Sequence, residues 1–145
     1  MSDRTVVNGE TFWPTHRILY YDDGTSETLP IDPAEVAETE AANAAVIGRV
    51  NARQDTFDLL NAATEAIRSW CMDTQAWLYT QGAFGAFDEA GFLALVQQAE
   101  TAGLAYNALP PEDLTPLLIQ EQAGMALRGQ QAQILFGLAR GAAGG

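Results

Sequence analysis

The chain contains no lysine, one cysteine and one histidine, and each shortage excludes a kind of site. Cys71 has no second cysteine with which to form an intrachain disulfide, and one cysteine with one histidine is too small a set for a zinc site. Because lysine is absent, 7 arginines face 19 acidic residues, and the formal net charge is -12. We therefore expect no binding to nucleic acid, whose phosphates require a basic face, and no docking on an anionic membrane.

Long apolar runs are also missing. No stretch reaches the roughly 20 apolar residues that a membrane-spanning helix needs. The segment Met1–Thr5 lacks the apolar run of a signal peptide. We expect a protein with neither a signal peptide nor a transmembrane segment. Its 145 residues, 48% of them hydrophobic, are enough to bury a core.

The most β-prone residues lie near the N-terminus. Two extended runs, Arg17–Tyr21 and Thr25–Leu29, flank a turn that contains Gly24, which adopts a positive φ without steric cost. An earlier strand around Val6 or Glu10–Trp13 would complete a small meander. Because an isolated hairpin is marginal in water, it needs a helix or a neighbouring chain to pack against.

A long helix is predicted after the hairpin. Asp32 is a good N-cap, and Pro33 suits the first helical position. No proline follows until after Gln81, and the only glycine in this stretch is Gly48. A continuous helix here would be roughly 70 Å long. A monomer of this size cannot bury such a rod, so the helix either breaks, near Gly48 or within residues 51–55, or has partners.

Two sets of positions in this helix recur every seven residues, as in a coiled coil. One set includes Phe57, Thr64, Cys71 and Leu78, and the other, three residues further on, includes Leu60, Ile67 and Thr74. Polar residues interrupt both sets frequently. Two alternatives stay open: this heptad face packs inside the chain's own helical bundle, or it joins separate chains. Trp70 and Trp77 lie seven residues apart and favour an interface for part of the set. The candidate interface residues are Val50, Phe57, Leu60, Ile67, Trp70, Trp77 and Leu78.

Two further helices are predicted beyond a glycine-rich turn. Asp88 caps the first, which Gly103 is placed to end. The last is expected from Thr115 to about Ala139, and its apolar residues wrap widely enough that more than one face should be covered.

These patterns predict a mainly α fold, with a long N-terminal helix, two or more shorter helices and a small N-terminal β-hairpin. The expected organisation is a hairpin element over residues 1–30, a heptad-patterned helix over 31–82, a helical region over 83–140 and a flexible tail over 141–145.

Residues that could carry chemistry are few, and no nucleophile, phosphate-loop or dinucleotide motif occurs. His16 is expected at the surface at the start of a strand, and Cys71 in the core as a small hydrophobe. Arg49 is expected either on a solvated helix face or paired with Asp55 of an adjacent chain. We predict no catalytic residue, cofactor site or metal site, and no enzyme. A carboxylate pair such as Asp55 and Asp58 leaves a small enzyme, with carboxylates as acid and base, as a minor alternative.

The hairpin Ile18–Leu29, leading through Asp32 and Pro33 into the polar-interrupted helix Glu35–Gln81, resembles small virion proteins of tailed bacteriophages. The resemblance covers about half the chain and rests on style rather than on a diagnostic motif. It implies an oligomeric structural role in a particle, as a component of a tail, baseplate or fibre attachment. The expected location is a virion or the cytoplasm. The expected partners are other protein subunits, with a homo-oligomer favoured. The alternative is an acidic binding module or inhibitor whose segment Asp22–Glu40 occupies a basic partner surface.

Overall fold

The computed structural model describes residues 3–144, which form three strands, three α-helices and one short 3-10 helix. The elements are β1 (Val6–Phe12), β2 (His16–Tyr21), β3 (Ser26–Pro30), α1 (Pro33–Tyr79), α2 (Glu89–Ala108), the 3-10 helix Pro111–Asp113 and α3 (Pro116–Gly144). The mainly α fold class is confirmed, since 70% of the protein is helical. The chain divides into two compact units, Met1–Gly48 and Arg49–Gly145, and the boundary between them lies within α1.

The N-terminal unit contains an antiparallel sheet in the order β1-β2-β3. The predicted hairpin is present, with Arg17 opposite Leu29 and Tyr20 opposite Ser26. Gly24 lies in the turn with a φ of +82°, a conformation that favours glycine. The earlier strand is also present, and it includes both Val6 and most of the second candidate stretch. The hairpin is therefore part of a three-stranded meander.

This sheet has little buried surface of its own. Among residues 3–48, Ile31 alone is buried, and every residue of β1 is exposed. The apolar side chains left at the surface include Val7, Phe12 and Trp13. An ion pair of 2.6 Å between Arg17 and Glu35 joins β2 to the first turn of α1. The unit therefore has little hydrophobic burial of its own, and the exposed ion pair adds little to its stability.

Helix α1 begins where the sequence predicts and runs without a break. The Asp32 carboxylate accepts a hydrogen bond of 2.9 Å from the amide of Ala34, so the predicted cap is in place. Neither Gly48 nor residues 51–55 interrupt the helix. A lone glycine costs a helix only about 1 kcal/mol, and the alanine-rich residues before it favour the helical conformation.

The C-terminal unit is built around one core to which all three helices contribute. The buried side chains of α1 follow a three-and-four spacing: Thr56, Leu60, Ala63, Ile67, Trp70 and Thr74. Helix α2 contributes Phe92 and Ala102, and α3 contributes residues that include Leu118, Met125 and Leu135. The heptad pattern of α1 therefore serves the chain's own core, which is the first of the two alternatives.

One of the two heptad positions is shifted by one residue from the prediction. Leu60 and Ile67 are buried as expected, but the residue buried between them is Ala63 rather than Thr64. Thr56 and Thr74 tolerate burial because each hydroxyl donates to the carbonyl oxygen four residues earlier, at 2.8 Å in both cases.

Two predicted helix ends are wrong. Helix α2 continues past Gly103 to Ala108, because an isolated glycine weakens a helix without ending it. Helix α3 continues through Ala139 to Gly144, so residues 141–144 are helical rather than a flexible tail, and Gly145 lies outside the described residues. The alanines near this end favour helix enough to offset the glycines between them.

Candidate protein-binding surfaces

Three of the predicted interface residues lie in the chain's own core. Leu60, Ile67 and Trp70 are buried against α2 and α3. The Trp70 indole also donates a hydrogen bond of 2.9 Å to the Asp88 carbonyl at the start of α2. The prediction that these three side chains form a contact between chains is corrected, because the helices of the chain itself already bury them.

Trp70 and Trp77 belong to an aromatic cluster rather than to an exposed pair. Trp70 packs on Phe92 with ring centroids 5.2 Å apart, and Phe92 stacks on Phe136 at 4.2 Å. Trp77 is half-buried beside Phe87 at 5.3 Å. These aromatic contacts join the three helices at one end of the core.

The remaining predicted residues lie at the edge of the core. Phe57 and Leu78 are half-buried against it, whereas Val50 is exposed. Val50 and Phe57 line a groove of about 290 Å³ between α1 and the start of α3. Its other lining residues are Arg53, Gln54, Thr115, Leu117 and Leu118.

Helix α3 carries an apolar face that the other helices of the C-terminal unit leave uncovered. Leu127, Ile134 and Leu138 are spaced seven and four residues apart, which places them on one side of the helix. Their exposed fractions are 57%, 68% and 59%. The opposite face of the same helix carries the buried residues Met125 and Leu135. The wide wrapping of apolar residues along α3 is the sequence signal for this second face.

An ion pair fixes the 3-10 helix to α1. Arg49 Nη2 lies 2.5 Å from Asp113 Oδ1, and Arg49 Nε donates to Asp113 Oδ2 at 3.2 Å. The Asp113 side chain is only 5% exposed. Hydrogen bonds from Arg49, with its positive charge, hold the pKa of the Asp113 carboxyl below its usual range. The sequence left two alternatives for Arg49, a solvated helix face or a pairing with Asp55 of another chain. The structure instead pairs it with Asp113 of its own chain.

Of the residues that could carry chemistry, His16 lies in the N-terminal unit and Cys71 in the C-terminal unit. His16 begins β2, where its ring stacks on Phe12 and its Nδ1 lies 2.8 Å from the Thr15 hydroxyl. Cys71 lies in α1, partly buried against the core, and burial raises the pKa of its thiol. Within residues 3–144, no group of three or more histidine, cysteine or acidic side chains is placed to hold a metal ion.

Over the same described range, no helix combines the length and the apolarity that crossing a membrane requires. No family model matches the chain, and no curated protein or solved structure matches it either.

Proposed function

We propose that this chain is a non-enzymatic assembly protein that associates with further copies of itself through the exposed face of α3. The observation that carries the proposal is the apolar side of that helix formed by Leu127, Ile134 and Leu138, each more than half exposed. A helix with one buried and one exposed apolar face is stabilised further when a second subunit covers the exposed face.

The charge distribution favours a copy of the same chain as the partner. The whole protein carries a net charge of -12, which opposes self-association through most of its surface. Helix α3 differs from the rest of this acidic chain. Its only acidic residue is Glu121, and it carries two arginines, Arg128 and Arg140. A nearly neutral apolar face can meet its own copy across a twofold axis without placing like charges together.

The N-terminal unit supports an assembly role as well. Its sheet exposes Val7, Phe12 and Trp13 and buries almost nothing. Small sheets gain stability when another surface covers one face. Together with the resemblance to tailed-bacteriophage proteins, this favours a structural component of a tail, baseplate or fibre attachment as the form of assembly.

The alternative of an acidic binding module has less support. At least five of the seven carboxylates in Asp22–Glu40 are engaged within the N-terminal unit. Glu35 pairs with Arg17, and Glu27 accepts a hydrogen bond of 2.7 Å from the Tyr21 hydroxyl. Asp22, Asp23 and Asp32 each accept backbone hydrogen bonds. A surface that mimics a polyanion would instead present its carboxylates free to the partner.

The test is a triple variant, L127Q/I134Q/L138Q, compared with the unchanged chain by light scattering after size exclusion. These side chains are exposed, so the variant should keep its far-UV circular dichroism. We expect the unchanged chain to have a mass above 15.6 kDa and the variant to have the monomer mass. A matched control, L93Q/L104Q, changes two exposed leucines of α2 and should leave the mass as it is. Equal masses for the unchanged chain and the triple variant would overturn the proposal.

A further inference from the structure

A cleft between α1 and α3 brings together two of the chain's seven arginines. Arg68 comes from α1 and Arg128 from α3, and the cleft has a volume of about 300 Å³. Gln75 and Gln131 add an amide group from each helix. The rest of the lining consists of Ile67, Cys71 and Met72. The cleft therefore combines two positive charges with two amide groups in a protein whose net charge is -12.

Neither arginine of the cleft forms a close ion pair with a carboxylate of the described residues. The carboxylate nearest Arg68 is that of Glu65, at 4.0 Å, and both side chains are more than half exposed, so this pair contributes little. Within the described residues, no carboxylate forms an ion pair with Arg128. By contrast, Arg17 and Arg49 each donate to a carboxylate of the chain through two nitrogens.

The groups in the cleft are those that recognise a carboxylate. A guanidinium offers a planar fork of N–H donors that matches the two oxygens of a carboxylate, and a glutamine amide adds further donors. The positive charge of Arg128 reaches into the cleft, since it acts on the Cys71 thiol and opposes the rise in pKa that burial causes. Ile67 and Met72 supply apolar walls for the carbon stem of an incoming side chain.

The net charge selects among anions. At -12 the protein repels polyanions such as nucleic acid at long range, and a doubly charged phosphate more than a single carboxylate. The cleft also borders the proposed association face, because Gln131 lies four residues after Leu127 and three before Ile134 in α3. We propose that Arg68 and Arg128, with Gln75 and Gln131, bind the carboxylate of an acidic side chain presented by the neighbouring subunit. This inference rests on the proposed function and names the chemistry by which the partner is held.

Cys71 allows a direct test, because it is the chain's only thiol and it lines the cleft. The full-length chain is reacted with a neutral disulfide, 4,4′-dithiodipyridine, and with the dicarboxylate disulfide 5,5′-dithiobis(2-nitrobenzoate). We expect the rate with the dicarboxylate reagent, divided by the rate with the neutral reagent, to fall several-fold in Arg68→Gln and in Arg128→Gln. The matched control is Arg140→Gln, which changes an exposed arginine of α3 and should keep the rate ratio of the unchanged chain.

Competition then identifies the ligand chemistry. N-acetylglutamate should slow the reaction of Cys71 with the neutral reagent in a saturable manner, and inorganic phosphate at equal ionic strength should do so less. Saturable protection by phosphate alone would overturn the choice of a carboxylate. Rate ratios that are the same in the unchanged chain and both arginine variants would overturn the site. A chain that is monomeric but keeps the arginine-dependent ratio would contradict self-assembly while leaving the carboxylate site in place for a different protein partner.

Discussion

Arg49 and Asp113 lie 64 positions apart in the sequence, yet two nitrogens of the guanidinium contact both oxygens of the carboxylate. The aspartate belongs to the short 3-10 helix that precedes α3, and the arginine belongs to α1. Because Asp113 is buried and Arg49 is half exposed, the arginine satisfies the carboxylate while remaining in contact with water. This pair holds the connection between α2 and α3 against the long helix.

The pair predicts an acid-sensitive contribution to stability. Since Arg49 lowers the pKa of folded Asp113, the folded state binds this proton less readily than the unfolded state, whose Asp pKa is about 3.9. The stabilisation is complete above about pH 4 and is lost as pH falls through the lower, folded-state pKa. Asp113→Asn should lower Tm by several degrees at neutral pH and flatten the loss of Tm below about pH 4, measured by circular dichroism.

The control for this prediction is Glu35→Gln, which removes an exposed ion pair with Arg17. It should change Tm less than Asp113→Asn does, because solvent screens exposed pairs. Superimposable curves of Tm against pH for Asp113→Asn and the unchanged chain would show that the buried pair does not contribute as described.

Gly85 predicts a large effect of adding one methyl group in the turn between α1 and α2. Its φ is +72°, and a Cβ at this position would lie 2.8 Å from the Trp77 amide nitrogen and still closer to the Asp73 carbonyl oxygen. Gly85→Ala should therefore lower the free energy of unfolding by about 2 kcal/mol or more, measured by urea denaturation.

Gly103→Ala is the matched control, because Gly103 lies within α2 and a Cβ there meets open space. It should raise the free energy of unfolding by about 1 kcal/mol, since alanine favours helix more than glycine. Equal effects of the two substitutions, in sign and size, would contradict the turn geometry.

The placement of the heptad face inside the core predicts that one leucine contributes much to the free energy of unfolding and another contributes little. Leu60 is fully buried, so Leu60→Ala should lower the free energy of unfolding by about 2–5 kcal/mol. Leu104 is 70% exposed on α2, and Leu104→Ala should change it by less than about 0.5 kcal/mol. If Leu60→Ala were as mild as Leu104→Ala in urea denaturation, the core assignment would fail.

Local signals in the sequence were enough to predict the elements of the fold. The Asp32 and Asp88 caps, the turn at Gly24 and the mainly α class all follow from short-range chemistry, and the structure has them. The helix ends were harder, because a glycine such as Gly103 lowers helix stability without ending a helix whose faces are held by packing.

The partners of the long helix could not be predicted from its spacing. A heptad pattern shows that one face of α1 is buried, but it does not distinguish the chain's own helices from another subunit. The structure assigns Leu60, Ile67 and Trp70 to the chain's own core. The wide distribution of apolar residues along α3 predicted that more than one face would be covered, and the other helices of the C-terminal unit leave the outer side uncovered. The contacts of Arg49 with Asp113, and the meeting of Arg68 with Arg128, depend on tertiary geometry that no local pattern encodes.

The central claim is that the chain assembles with itself through α3, and its solution mass tests this most directly. Light scattering of the purified chain across a range of concentrations should show a mass that is a multiple of 15.6 kDa, with a strongly helical far-UV spectrum. A helical protein that stays at 15.6 kDa at every concentration would contradict self-assembly.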